Sequence, residues 1–379
     1  MVILAYIGGL FISFVALSVF LLIGIPPVLM KFISTGPRSR PGGSSEEKNV
    51  LIIGREISAI HFLEDVLKQH QSGTRVAGFI SKSGDGSLNG SLKPLGRPED
   101  LEEILNAYEI NEVIIAEDEE DLNHIFSLVE RCIKAGKRVR VASGKMEIIR
   151  EKIKFGSYFD NHCIDLSAPV GYRFTTALKR AEDIIIGSAA FIAFLPLMII
   201  IALLVKTTSR GEIFFRQLRV GKNGSHFKMY KFRTMYSSTG MDDEKRKKMM
   251  LEFMKKNKST GEDKKIVDES RVTKVGRILR RTSLDELPQL INVLKGEMSL
   301  VGPRPCVPYE FENYESWQKR RVKVLPGCTG VWQVSGRSSV SFDDSVVLDL
   351  YYVHRMSVFL DLKILFKTIP VMLLSKGGR

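Results

Sequence analysis

The stretch richest in chemistry is Ser283-Leu284-Asp285-Glu286-Leu287-Pro288-Gln289-Leu290, which runs on to Gly302-Pro303-Arg304-Pro305. Two adjacent carboxylates, Asp285 and Glu286, open an apolar helix-like pattern, and an arginine set between prolines follows. The approach is basic, with Arg277, Arg280 and Arg281. Carboxylates, unpaired backbone N–H groups and cations at one helix start can hold a phosphate beside a carboxylate nucleophile. The same residues also read as plain capping. Ser283 is a good N-cap, Glu286 stands three positions on as a capping box requires, and Asp285 suits the macrodipole. Spacing alone leaves both readings open.

A chain of 379 residues has room for two or three domains to position such a site. Its net charge of +13, pI near 9.5 and 44% hydrophobic content suggest an anionic partner such as phospholipid head groups or phosphorylated substrates. Cys132, Cys163, Cys306 and Cys328 are scattered, which suits reduced thiols and indicates neither a disulfide scaffold nor a zinc site.

Residues 1–30 are nearly all apolar and long enough to cross a bilayer; Pro26 and Pro27 mark an end or a kink. No basic residue precedes this run, while Lys31, Arg38 and Arg40 follow it. That asymmetry puts the N-terminus outside and the rest in the cytoplasm. Residues 31–48 read as a linker. Residues 49–145 alternate strands (49–54, 75–80, 112–116, 137–142) with helices (57–69, 98–107, 121–135), which predicts a Rossmann-like parallel α/β domain. Its phosphate-binding fingerprint is damaged. Gly54, Glu56 and Ala59 stand where three glycines belong, and Glu56 sets a negative charge where a pyrophosphate would approach. A structural or regulatory role is therefore expected for this domain.

Residues 146–170 form a connector, and a second apolar segment follows at about 184–206 with Pro196 near its middle. Lys179 and Arg180 precede it, and Lys206, Arg210, Arg216, Arg219 and Lys222 follow. Basic flanks at both ends conflict with a simple crossing, so a helix that enters, breaks at Pro196 and returns to the same face is expected. A kinked spanning helix is the alternative. The Lys-rich run 244–265 reads either as a basic amphipathic stretch at a membrane surface or as a solvated helix.

Several signatures from here on occur together: Phe214-Phe215-Arg216-Gln217-Leu218-Arg219-Val220-Gly221, Tyr230-Lys231-Phe232-Arg233-Thr234-Met235, the Asp285-Glu286 stretch with Gly302-Pro303-Arg304-Pro305, and Arg321 through Arg337. Leu348-Asp349-Leu350-Tyr351-Tyr352 through Ile364 completes the set. In this order they resemble the bacterial sugar transferase family, the monotopic polyprenyl-phosphate phosphoglycosyl transferases, over about 172–379. Two positions depart from the family's habit: Leu195 where a serine often precedes the proline, and Glu212 where a proline is usual.

The resemblance implies a catalytic domain at 171–379, mostly helical, with a re-entrant membrane helix. The fold class expected is a membrane protein of α/β and α+β type. The implied reaction moves a sugar 1-phosphate from a nucleotide sugar, usually a UDP-sugar, to polyprenyl phosphate and releases UMP. In those terms Asp285 is the nucleophile, and Glu286 helps hold Mg²⁺ or assists the second step. Arg304, Arg337 and Arg280 bind phosphate oxygens. A homodimer, membrane-lipid contact and a place on the cytoplasmic face of the bacterial inner membrane are implied alongside.

Three rival classes are weaker. An NAD-dependent nucleotide-sugar enzyme needs an intact glycine fingerprint and a Tyr-x-x-x-Lys pair, and the α/β half has neither. A non-catalytic scaffold does not account for Asp285, Glu286, Arg304 and Arg337 all standing at family positions. Nucleic-acid binding fits poorly because the basic groups cluster beside apolar segments.

Overall fold

The strands of the first half are almost continuous apolar runs, Leu51-Ile52-Ile53 and Val113-Ile114-Ile115-Ala116, as a sheet covered on both faces requires. In the computed structural model, which describes residues 48–54, 74–81, 94–116, 122–142, 164–166, 172–236, 244, 247–248, 251–252, 254, 271–335 and 341–373, they form one six-stranded sheet. Its strands are β1 (Lys48–Gly54), β2 (Thr74–Ile80), β3 (Pro94–Gly96), β4 (Glu112–Ala116), β5 (Arg138–Ala142) and β6 (Ile164–Asp165), in the order β3-β2-β1-β4-β5-β6. All pair in parallel except β6, which runs antiparallel to β5.

This is a Rossmann-type order, with helices α1 (Leu101–Ala107) and α2 (Leu122–Lys134) contributing Leu101, Leu105, Ile125, Phe126 and Val129 to the core. Gly54 closes β1 where a Cβ would lie 1.9 Å from the Ala116 carbonyl oxygen, so only glycine fits there. Glu56, Ala59 and the helix expected at 57–69 lie outside the described residues, as do the apolar run 1–30 and most of the 146–170 connector.

The chain divides into two compact units, Arg38–Val170 with Glu315–Trp317, and Gly171–Tyr314 with Gln318–Arg379. The second opens with α3 (Tyr172–Thr208), 37 residues and about 55 Å of helix. A hairpin follows, β7 (Phe214–Val220) and β8 (His226–Phe232), paired antiparallel. Then come α4 (Lys274–Thr282), a 3₁₀ turn at Leu284–Glu286, α5 (Gln289–Lys295), β9 (Ser299–Val301) and α6 (Pro308–Glu312). The unit ends with β10 (Gly327–Thr329), parallel to β9, then α7 (Val331–Ser335), α8 (Phe342–Arg355) and α9 (Val358–Leu373).

Thr176–Thr208 in α3 is long and apolar enough to cross a membrane. It is nonetheless laid along its own unit. Gly187, Ala190, Leu197, Met198, Ile201 and Val205 are buried at helical spacing, while Ile185, Ile192, Ile199 and Leu203 are each more than half exposed. Leu197, Met198, Ile201 and Val205 share a cluster with Phe232 and Leu279.

Both ends of α3 carry polar ties to this unit. Near the start, Lys179 Nζ lies 2.6 Å from Asp361 Oδ2, and Asp183 accepts from Ser299 Oγ and the Leu300 N–H, both at 2.9 Å. Arg180 donates to the Val293 and Leu294 carbonyls at the end of α5, where a cation suits the helix dipole. At the other end, Arg233 Nη2 donates to Ser209 O at 2.7 Å and Ser209 Oγ at 2.9 Å.

Two expectations need correction. The backbone stays helical through Pro196, so no non-helical residues interrupt α3 there. One missing N–H bond does not end a helix whose adjoining turns are held by Leu197, Met198 and Ile201. In the Lys-rich run, Met254 is buried and Leu251 half-buried in a cluster with Val220, Cys306 and Tyr314, so these apolar residues face the protein itself.

Gly276 lets α4 press onto the chain after β8, since a Cβ there would lie 2.1 Å from Thr234 O. Gly276→Ala forces that helix outward, and overpacking of this kind costs about 1–3 kcal/mol. The expected result is a lower denaturant midpoint at unchanged m-value; an unchanged midpoint contradicts the packing described.

Candidate active site

Helix α4 starts because the Thr273 side chain accepts from the Gly276 N–H at 2.8 Å, and it ends at Ser283, whose N–H returns to Leu279 O and Arg280 O. Ser283 takes φ 56° and ψ 17°, the left-handed region that a non-glycine residue enters at a cost of about 1–2 kcal/mol. The capping box expected there is therefore absent. Ser283 closes the preceding helix, its side chain caps nothing in the 3₁₀ turn that follows, and the next helix begins only at Gln289 behind Pro288. Leu284 and Leu287 pack on the α3 cluster. That packing leaves Asp285 and Glu286 presented, half-buried, on the turn between them.

The sharp turn brings the carboxylates to Lys231. Lys231 Nζ lies 2.6 Å from Glu286 Oε1. Burial pushes the Asp285 carboxyl up to about 6; Lys231 pulls it down, Glu286 pushes it up, and Arg280 pulls it down. Arg280 is half-buried, while its neighbour Arg281 is exposed. So Asp285, Glu286 and Arg280 come together, with Lys231 added to them.

Lys231 is placed by Asn292, which is fully buried on α5. Its Oδ1 accepts the Tyr230 N–H at 3.0 Å and its Nδ2 donates to Lys228 O at 2.8 Å, so a side-chain amide satisfies two main-chain groups of β8. Nδ2 also donates to Glu297 Oε2 at 2.7 Å. The clamp fixes β8 against the helix that follows the carboxylate turn. On β10, burial pushes the Cys328 thiol well up; Glu286 and Asp183 raise it further, while Lys179 and Lys231 pull it down.

Arg304 falls in a different group. It is exposed, its guanidinium carbon is 6.0 Å from the Trp332 ring centroid, and its charge acts on Arg219 and Asp349. Arg337 lies outside the described residues. Sequence reasoning passed over Lys231 and Asn292. Lys231 sat inside a quoted signature, but a lysine between Tyr230 and Phe232 looks like a solvated strand residue. A lone asparagine in a helix carries no signal at all.

The described residues hold no cluster of three His, Cys, Asp or Glu side chains that could bind a metal unaided. Mg²⁺ commonly uses one or two carboxylates together with substrate phosphates and water. Adjacent Asp285 and Glu286 fit that mode, provided a phosphate supplies the other oxygens.

Two outcomes follow from this geometry. The Asp285 carboxyl titrates near pH 6 by ¹³C NMR, and Lys231→Met moves the midpoint upward because a lowering charge is lost; no movement contradicts the arrangement. Asn292→Leu strands two β8 main-chain groups, at a cost of about 1–3 kcal/mol each, and is read as a lower melting temperature.

Exopolysaccharide production protein ExoY of Sinorhizobium fredii is 45% identical over 204 residues, which is 53% of this chain and 87% of that protein. The undecaprenyl-phosphate galactose phosphotransferase of Salmonella typhimurium is 42% identical over 206 residues, 54% of this chain and 42% of that protein. The UDP-glucose:undecaprenyl-phosphate glucose-1-phosphate transferase of Klebsiella pneumoniae is 41% identical over 199 residues, 50% of this chain and 39% of its own length. The chain thus spans less than half of those two longer relatives. Residues 174–375, which include the carboxylate turn, Lys231 and the Arg304 loop, match the bacterial sugar transferase family, so the chain is a transferase and belongs to that family.

Proposed function

We propose that this chain transfers a sugar 1-phosphate from a UDP-sugar to polyprenyl phosphate, releasing UMP, by way of a covalent aspartyl intermediate on Asp285. What carries the reading is a half-buried carboxylate on a sharp turn, flanked by Lys231 and Arg280, in a family whose relatives are named for this class of transfer.

In the first step an ionised Asp285 oxygen attacks the sugar-proximal phosphorus. The bond from that phosphorus to the bridging oxygen breaks, and UMP leaves with both electrons. In the second step a polyprenyl phosphate oxygen attacks the same phosphorus, the acyl–phosphate bond breaks, and the Asp285 carboxylate is regenerated. A carboxylate needs no base to activate it at neutral pH, because its pKa near 6 leaves it mostly ionised there. Lys231, Arg280 and Arg304 offset the charge of the phosphates, Arg304 reaching them from its own loop. Arg337 is assigned the same task from its motif. Mg²⁺ held by Glu286, Asp285 and the diphosphate would neutralise charge that develops on the phosphate oxygens.

The membrane part of the proposal lays α3 in the cytoplasmic leaflet of the bacterial inner membrane, with both of its ends on the cytoplasmic face. Support comes from its exposed apolar side chains and from the polar ties that hold both of its ends to one unit. Polyprenyl phosphate keeps its phosphate at head-group level, so a site beside such a helix meets it without extracting the lipid. The apolar run at 1–30 anchors the chain, 49–145 forms a separate Rossmann-like domain joined through 31–48 and 146–170, and 171–379 is the transferase domain. The donor's sugar is left open, since the named relatives differ between galactose and glucose.

The test is UMP release in detergent with Mg²⁺, polyprenyl phosphate and a panel of UDP-sugars. Wild type is expected to release UMP from one sugar, with an acid limb near pH 6, because protonation of Asp285 removes the nucleophile. Asp285→Asn should abolish release. It should also melt higher than wild type at pH 7. A carboxyl held above its ordinary pKa stabilises the fold only while protonated, so the wild type loses that contribution as pH rises through about 6. Release of UMP by a folded Asp285→Asn protein contradicts the proposal.

A further inference from the structure

The loop that carries Arg304 is held by its main chain almost residue by residue. The Gly302 N–H donates to Thr329 O at 2.9 Å, and Pro303 O accepts the Gly327 N–H at 2.8 Å. Arg304 O accepts Arg321 Nη2 at 3.4 Å, Pro305 O accepts Arg219 Nη1 at 2.8 Å, and Cys306 O accepts the Val220 N–H at 2.9 Å. Four successive carbonyls, from Pro303 to Cys306, are thus each taken by a donor from another segment. Only the Arg304 side chain is left in the open.

Two of those four donors are arginines buried to 8% and 5% exposure, Arg219 and Arg321. A loop carbonyl can be satisfied by water or a main-chain N–H, so spending a buried guanidinium on it calls for a reason. Arg321 is ion-paired to Asp349, which is fully buried on α8, and its Nη1 lies 3.4 Å from the Tyr314 hydroxyl. Arg219 has no salt bridge among the described residues; its Nη2 goes to Gln217 Oε1 at 2.6 Å. Both guanidiniums therefore converge on the adjacent carbonyls of Arg304 and Pro305.

We infer that Arg219 and the Arg321–Asp349 pair are positioning residues that hold the Arg304 loop rigid, so that Arg304 meets the substrate phosphates already in place. They touch no substrate. Their contribution is preorganisation: the loop's ordering cost is met during folding and not again at each binding event. The inference rests on the transferase reading of Arg304, but the holding of the loop can be tested apart from it.

The experiment uses the full chain in detergent. Arg321→Met combined with Asp349→Leu removes both buried charges at once, a swap that commonly leaves stability unchanged or improved. Three results are expected. The variant melts like wild type, hydrogen exchange at the Gly302 and Gly327 amides becomes at least about tenfold faster, and kcat/KM for the UDP-sugar falls about tenfold. Arg304→Ala, costly in the wild-type background, then costs less than about twofold when added to the double variant, because the loss has already been taken.

Unchanged exchange at those two amides overturns the inference, and so does an Arg304→Ala loss of equal size in both backgrounds. If the double variant does not fold, Arg219→Met leaves no salt-bridge partner behind and carries the same expectations. A wild type that releases no UMP from any UDP-sugar overturns the transferase reading instead; the exchange result then decides the holding of the loop by itself.

Discussion

A carboxylate can attack a diphosphate only if it is ionised, partly stripped of water and faced by enough positive charge for a second anion to approach. Asp285 meets those demands through opposed effects. Burial raises its carboxyl to about 6, and Lys231 and Arg280 keep it from going further. Glu286 works against the ionised form, but its bond to Lys231 moderates that effect. The balance depends on placement, and most of the second unit supplies it. The left-handed Ser283 turns the chain, Leu284 and Leu287 anchor the turn, and Asn292 clamps β8 so that Lys231 arrives opposite.

The apolar helix α3 belongs to the same framework. Its buried stripe supports the cluster on which the carboxylate turn rests, and Arg180 caps the helix that follows the turn. A membrane around the exposed face of α3 would therefore act on the part that positions Asp285. Lipid contact along that face would then share one element with the site geometry, and would tie the membrane surface to the chemistry more closely than a tethering anchor could.

Much of this was legible in the residues. Short apolar runs alternating with helical segments marked β1, β2, β4 and β5, and the adjacent carboxylates with their basic approach marked the site. The capping alternative fails for a physical reason. Ser-x-x-Glu is a local pattern, and it cannot tell that the preceding helix ends on Ser283 itself, in a conformation propensity disfavours for serine. Lys231 and Asn292 were invisible because their roles depend on contacts 55 and 62 residues away in the chain. Arg321 and Asp349 show the same limit, since a buried ion pair looks like two surface charges until the packing is known. Pro196 looked like a break because a proline removes one hydrogen bond; the packing of the neighbouring turns outweighs that loss.

The most direct test of the central claim is intact-mass and peptide mass spectrometry after incubation with the UDP-sugar donor and no polyprenyl phosphate. The account predicts a gain equal to one sugar phosphate, located on the peptide containing Asp285 and discharged when polyprenyl phosphate is added. No adduct in a protein that goes on to release UMP only when both substrates are present would mean direct transfer between them, and would leave Asp285 without the role assigned to it.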